Sequence, residues 1–355
     1  MANSETCVLI AGVGGSTPGT ELIKSFEMAE NDYKIVAADM YKNSVGLFST
    51  PYRYVIPPAS SSDYIDSLLK ICKTEKVDVL TTGSAVELEI VAKNNKIFEE
   101  NGIKLMINPI HVVELCNDKF KLMNFLSSKG IPCPKSFLFE NDDDLKKVEK
   151  FPVIIKPRFG AGSRNVFIIQ NKDEFLFFGN YLKKYGQMPL VQEYIDAPSE
   201  EYTVGVLYAD QGRLSCSIAM KRMLNHGFSY GQIIENTNTK KEYMISSPVS
   251  EGIFDEFLEV RQTCEKIAKI IDCNGPINVQ CRKTDLGTLT FEINPRFSAS
   301  LTSRSMVGFN EPDIFCKYLI NDEIPENTDY EYGYVLRNLN EKFIPFRDVD
   351  SVPSI

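Results

Sequence analysis

Between residues 7 and 116, short continuous apolar runs alternate with segments whose apolar positions recur every three or four residues. This is the pattern of a parallel sheet with crossover helices. CVLIAG at 7–12 reads as a first strand that enters the glycine-rich turn GVGGSTPG; a helix is expected over 20–30, and YKIVAAD at 33–39 is the second strand. DYIDSLLKICKTEK at 63–76 has helical spacing, VDVLTT at 77–82 is another buried strand, and KLMINP at 104–109 is a further one stopped by its proline. Residues 1–116 are therefore expected to form a Rossmann-like domain.

The pattern changes at Asn117. NDKFKLMNFLSSKGIPCPKSF predicts a helix ended by Gly130 and then an extended, proline-punctuated segment. FPVIIKPRFGAGSRNVFIIQ reads as two strands joined by a glycine loop, MPLVQEYID as another strand, and EEYTVGVLYADQGRLSCSIAMKR as a hairpin turning at 210–212. ENTNTKKEY is a polar stretch, a long helix is expected over 252–271, and INVQCRKTDLGTLTFEINPRF is a second hairpin. The class is α/β, passing to α+β in the C-terminal part, with boundaries expected after residues 116 and 193.

Composition narrows the chemistry. With 39 basic and 48 acidic residues among 355, the net charge of −9 supplies no overall field for a polyanion, so nucleic acid is not an expected partner. No apolar run reaches membrane-spanning length, and MANSETCVLIAG lacks the basic flank and long apolar stretch of a secretion signal, so the expected location is the cytoplasm, away from membranes. Nine scattered cysteines without CxxC spacing read as reduced, packed thiols. Two histidines, His111 and His226, exclude a multi-histidine metal centre.

Two glycine loops could hold phosphate. GVGGSTPG follows a strand and opens a helix, the setting of a dinucleotide turn, but Thr17 replaces the third glycine of GxGxxG and Asp39 is the single acidic residue ending strand two. A plain βα turn is the other reading. The second loop, Gly160, Ala161, Gly162 and Ser163, joins two strands and lacks the P-loop pattern; as a small-residue hairpin it could fold over a triphosphate, with Lys156 beside it, or be a simple turn.

The second hairpin is richer. Alternation puts Thr290, Glu292 and Asn294 on one face, with Phe291 and Ile293 on the other, and separates Asn278, Gln280 and Arg282 from apolar Ile277, Val279 and Cys281. A turn near Asp285 and Leu286 sets Glu292 opposite Asn278 or Gln280. One carboxylate with neutral oxygens suits a nucleotide-bound Mg²⁺, and Arg296, leaving the strand after Pro295, suits a phosphoryl group; a solvated polar ribbon face is the alternative.

Taken in order, NDKFKLMNFLSSKGIPCPKSF, FPVIIKPRFGAGSRNV, VQEYI, EEYTV, NVQ and FEINPRFSAS resemble the ATP-grasp superfamily, in its carbamoyl phosphate synthetase large subunit-like and amino-acid ligase-like branch. The resemblance runs from Asn117 to Ile320 and implies a lid subdomain over 117–193 with the glycine flap, a C-terminal subdomain over 194–355 with the metal and phosphate site, and a leading α/β domain over 1–116. It implies ATP with Mg²⁺ or Mn²⁺ as cofactors. Gln192, Glu193, Tyr194 and Ile195 would meet the base, Glu201 the ribose, Lys119 and Lys156 the phosphates, and Gln280, Glu292 and Asn294 the metal, with Arg296 on the transferred phosphate. FSAS follows Asn-Pro-Arg where close relatives of the synthetase carry another basic residue, which leaves Arg304 as the next candidate and weakens a bicarbonate-phosphorylating assignment. A second grasp half is not expected within 355 residues, so neither is a complete synthetase.

The expected activity is an ADP-forming ligase that phosphorylates a small carboxylate and passes it to an amine, forming an amide bond. Lys221, Arg222 and His226 in MKRMLNHGFSYGQ are candidates for the substrate side, as are the turn at 14–17 and Glu87 in VLTTGSAVELE, where an acidic group would suit an amine. The alternatives are phosphorylation of a small acid without ligation, a nicotinamide-dependent oxidoreductase resting on GVGGSTPG, and a nucleotide-binding regulator without chemistry. The partners expected are small-molecule substrates, with a homodimer as a possible assembly.

Overall fold

The structure, a computed structural model, describes residues 5–355 apart from 16, 17, 161, 225, 226, 228–231, 237, 238, 246–248, 327 and 339. Three larger sheets and a small hairpin organise the chain. The first is parallel, with Tyr52–Val55, Tyr33–Asp39, Thr6–Ala11, Val79–Thr82 and Lys104–Leu105 side by side in that order. Its central strand is covered on both faces: Val8 and Ile10 pack into one core, Leu9 and Ala11 into another. Burial on both sides explains the unbroken apolar run.

The second sheet is antiparallel, in the order Ser136–Leu138, Pro189–Glu193, Val153–Pro157, Phe167–Ile169. Val153, Ile155 and Val191 face the helix Lys172–Lys184 through Phe175 and Leu182, so Ile154, Lys156 and Gln192 turn to the opposite face.

The third sheet has six antiparallel strands in the order Gly287–Asn294, Gly275–Thr284, Glu201–Ala209, Leu214–Met223, Glu251–Phe254, Gly333–Val335. Tyr202, Val204, Val206, Ile277, Val279, Cys281 and Ile293 pack on the helices Lys119–Ser128 and Leu258–Ile270. The helix expected over 252–271 is shorter than its apolar spacing implied. Gly252, Ile253 and Phe254 are drawn into the sheet by pairing with Arg222, Lys221 and Met220, a tertiary contact that overrides local preference. In the polar stretch ENTNTKKEY, where 237 and 238 lie outside the described residues, Glu235 and Glu242 pair as part of a two-stranded hairpin, Gln232–Glu235 with Glu242–Ile245. No helix among the described residues is long and apolar enough to cross a membrane.

Candidate active site

Register fixes one polar face of the six-stranded sheet. Gln280 stands opposite Thr203 on one side and Glu292 on the other; one rung along, Asn278 stands opposite Gly205 and Asn294; in the other direction Arg282 is opposite Glu201. The register shifts between Gln280 and Cys281, whose partner is Thr290, so Phe291 is an extra residue on its strand. This corrects the simple alternation. Thr290 joins the Cys281 face and is fully buried, while Phe291 and Glu292 both line the cleft.

That cleft, about 740 Å³ counting its open mouth, lies between the second and third sheets. From the second sheet come Ile154, Lys156, Gln192 and Glu193, followed by Tyr194 and Ile195; from the third, Gln280, Arg282, Phe291 and Glu292. Met244 and Ile245 of the hairpin add an apolar wall, and Lys119, Phe159, Gly160, Ser163 and Arg164 close the side of the glycine loop. Gly160 has φ +127°, a conformation that glycine alone adopts readily. Ala161 lies outside the described residues, and Gly162 is not on the cleft wall.

Four cationic side chains, Lys119, Lys156, Arg164 and Arg282, face two carboxylates, Glu193 and Glu292, on this wall. A net positive cleft in a chain of net charge −9 is a local device for anions. Lys156 donates to Gln192 Oε1 at 2.8 Å and to the carbonyl of Phe291 at 3.4 Å. Burial pushes its pKa down to about 8, with Glu292 opposing the fall and Lys119 adding to it. Lys119 donates to the carbonyl of Gly160, tying the helix Lys119–Ser128 to the loop. Asp118 caps that helix through the Lys121 N–H at 3.1 Å and holds Arg158 at 2.6 Å.

Asn294 donates to Glu292 Oε1 at 3.4 Å, and Arg296 donates to Asn294 Oδ1 at 3.3 Å and to the carbonyl of Phe297 at 2.6 Å. Gln280, Glu292, Asn294 and Arg296 are thus brought together. Burial lowers the Arg296 pKa to about 10 while Glu292 opposes the shift. Among the described residues no group of three His, Cys, Asp or Glu side chains could cage an ion. One carboxylate with two amides fits a Mg²⁺ ion that takes its remaining ligands from phosphate oxygens and water.

Other candidates stand elsewhere. Glu201 is fully buried and off the cleft wall, its Oε1 accepting from Arg222 at 3.2 Å and its Oε2 from Arg282 at 2.9 Å. It is a counter-ion in an Arg222–Glu201–Arg282 bridge, not a group open to ribose. Lys221, opposite Tyr202 and so on the other face, pairs with Glu200. Arg304 is fully buried and off the cleft wall, donating to Glu311 Oε2 at 3.0 Å and Asn278 Oδ1 at 2.7 Å, where Gly205 leaves it room. This placement gives it a scaffolding role rather than contact with substrate. His226 and Thr17 lie outside the described residues. Arg282 and Phe291 are cleft residues the sequence reading missed; the first stood in the predicted polar set, and the second was hidden by the bulge.

Glu87 lies at the first glycine turn, its Oε2 2.0 Å from where a Cβ on Gly12 would be. A buried carboxylate there counts against a pyrophosphate at this turn.

A family model described as an ATP-grasp domain matches residues 116–300, and one described as a PylC-like N-terminal domain matches residues 8–106. The chain is 24% identical over 247 residues to the carbamoyl phosphate synthase large chain of Thermoplasma acidophilum, covering 66% of this chain but 22% of that protein. It therefore spans less than a quarter of that relative. Against the coenzyme gamma-F420-2:alpha-L-glutamate ligase of Methanocaldococcus jannaschii it is 29% identical over 143 residues, 38% of this chain and 49% of that one. The ADP complex of N5-carboxyaminoimidazole synthetase from Staphylococcus aureus superposes with a TM-score of 0.67 at 15% identity, covering 93% of this chain and 82% of that one, a likeness of fold.

Proposed function

The chain belongs to the ATP-grasp family, and from that premise we propose that it is an ADP-forming carboxylate–amine ligase. The observation that carries this reading is the positive cleft in which Gln280 and Glu292 are paired across the strands, with Asn294 and Arg296 attached to them. ATP lies between the two sheets, its base against Gln192, Glu193, Tyr194 and Ile195 and its phosphates toward Lys119, Lys156 and the glycine loop. Gln280, Glu292 and Asn294 hold Mg²⁺, which when bound neutralises phosphate charge and aligns the triphosphate. Arg296 faces the group in transfer. The substrate carboxylate attacks the γ-phosphorus, giving an acyl phosphate and ADP; an amine then attacks the acyl carbon and phosphate leaves. The glycine loop excludes water from the acyl phosphate. A relative named as an L-glutamate ligase supports this reaction class over phosphorylation without ligation. The reading keeps the divisions after residues 116 and 193, small molecules as partners and the cytoplasm as location.

The test is ADP release across a panel of amino acids and small acids. Wild type should turn over with at least one carboxylate and amine pair, and Glu292→Ala, altered on a polar strand face, should stay folded and lose turnover at least a hundredfold. Undiminished turnover in Glu292→Ala removes the metal-site assignment.

A further inference from the structure

Asn108, in the KLMINP segment, follows the strand Lys104–Leu105 and precedes the helix Ile110–Asn117. It is 1% exposed, stands off the cleft wall, and its amide crosses from the first sheet to the third. Its Nδ2 donates to the carbonyl of Pro276 at 2.6 Å and to that of Pro295 at 3.3 Å. Its Oδ1 accepts from the Cys273 thiol at 2.9 Å and from the Asn274 N–H at 3.2 Å. Two carbonyls on one side and two donors on the other leave the amide a single orientation. The backbones are as close as the side chain requires: a Cβ on Gly275 would stand 2.9 Å from the carbonyl oxygen of Ile107.

The two carbonyls that Asn108 binds belong to the strands carrying Gln280, Glu292 and Asn294, at the point where their ladder stops. Pairing between Gly275–Thr284 and Gly287–Asn294 ends at the Asn278–Asn294 rung. Beyond it stand Pro276 and Pro295, neither of which has an N–H with which to continue. The Asn108 amide supplies the donors that the prolines lack, and so holds the strands together past their last rung. Pro295 also lies between Asn294 and Arg296. Its carbonyl and the Arg296 N–H belong to one planar peptide group. That N–H donates to the Asn294 carbonyl at 2.8 Å, while the carbonyl accepts from Asn108. The group is fixed at both ends, and with it the direction in which Arg296 leaves the strand.

We propose that Asn108 is a positioning residue for phosphoryl transfer: by clasping the Pro276 and Pro295 carbonyls it sets Arg296 on the terminal phosphate of the nucleotide. It acts through the backbone. Loss of the clasp frees the peptide between Pro295 and Arg296 to rotate and leaves the base contacts at 192–195 as they are, so the defect falls on the terminal phosphate. A displacement of about 1 Å at a group facing the reacting atoms is enough to impair transfer. The inference rests on the role given to Arg296 in the ligase reading and extends that site to a residue beside the first sheet.

The test reads the ratio of two affinities, for a non-hydrolysable ATP analogue with Mg²⁺ and for ADP with Mg²⁺, by calorimetry on the full chain. Wild type should favour the analogue, and Arg296→Met should lower that preference at least fivefold. Asn108→Ala should lower it at least threefold with ADP affinity within twofold of wild type, and should lower it no further in the Arg296→Met background. Asn310→Ser is the control for a merely structural link. It removes a bond of the same kind, from Asn310 Nδ2 to the carbonyl of Ser25 at 2.7 Å, and should leave the ratio unchanged. The inference is overturned by an unchanged ratio in folded Asn108→Ala, by an equal loss for both nucleotides, or by the same loss in Asn310→Ser. A loss that persists in the Arg296→Met background, or a wild-type ratio that Arg296→Met does not lower, overturns it too. If Asn108→Ala does not fold, Cys273→Ala decides, because it removes one of the donors that orient the amide. A lowered ratio at unchanged ADP affinity then supports the inference, and an unchanged ratio overturns it. Failure of wild type to bind either nucleotide sinks the ligase reading instead.

Discussion

Gln280 stands directly across from Glu292, yet its neighbour Cys281 faces Thr290, so Phe291 is the residue left over. The extra residue decides which side chains reach the nucleotide cleft. It turns Thr290 inward, where its hydroxyl is buried without a hydrogen bond. Replacing Thr290 with Val keeps the shape and removes an unsatisfied group, and should raise stability by up to about 1 kcal/mol while leaving nucleotide affinity unchanged. An unbulged strand would put Thr290 beside Glu292, and Thr290→Val would then impair nucleotide binding. Urea unfolding and nucleotide titration on one preparation separate the two.

Phe291 itself is the converse case. Its ring lines the cleft 6.0 Å from Lys156 Nζ. Phe291→Ala should therefore weaken nucleotide binding about tenfold, the loss expected of one aromatic contact worth roughly 1.5 kcal/mol, with little change in midpoint on thermal unfolding.

Much of this arrangement was legible in the chain and some was not, for identifiable reasons. Alternation along 277–282 put Gln280 on the polar face and Val279 and Cys281 in the core, and a short turn then required Glu292 to fall near it. The bulge was invisible because nothing local distinguishes Phe291 from a regularly paired residue. Arg304 read as the next candidate basic residue after Asn-Pro-Arg because its partner Glu311 follows only after one helix ends and another begins, and the role of Gly205 in admitting both depends on a strand a hundred residues earlier. Likewise Glu201 read as open to ligand because its two arginines come from two other strands.

That bridge is the basis of a stability prediction. Arg282 donates to the carbonyls of Ile195 at 2.6 Å and Met244 at 2.8 Å as well as to Glu201, so it fastens the segment after the second sheet and the small hairpin to the third sheet. Glu201→Gln removes the buried negative charge that Arg222 and Arg282 share and should cost about 3–5 kcal/mol in denaturant unfolding. A loss of less than about 1 kcal/mol, the size of an exposed ion pair, would show that the bridge is not buried as described.

Lys156 should give nucleotide binding a pH limit. Its pKa is lowered to about 8 by burial, so in the free protein the charge that meets phosphate is present below that value and is lost as pH rises through it. Nucleotide affinity should be flat from pH 6.5 to 7.5 and fall up to about tenfold per pH unit above pH 8, until the bound-state pKa is passed. Lys156→Met should bind weakly at every pH, with that slope gone. Fluorescent-nucleotide titrations between pH 6.5 and 9.5 measure both, and a wild-type affinity unchanged to pH 9.5 would contradict the lowered pKa.

Glu87 sets the opposite slope in stability. Its folded-state pKa lies at about 7 against an ordinary 4.5, through burial first and the charge of Asp39 second, so the folded protein holds the proton more tightly than the unfolded chain. Over that interval the unfolded state binds fewer protons, so stability falls as pH rises from 4.5 to 7 and levels off above, a loss of about 3 kcal/mol from this group. Glu87→Gln has no proton to lose and should flatten this part of the curve, becoming more stable than wild type near pH 7.5. Urea midpoints from pH 5 to 8 make the comparison; parallel curves for the two proteins would show that Glu87 is ionised throughout and that its buried oxygen has a partner.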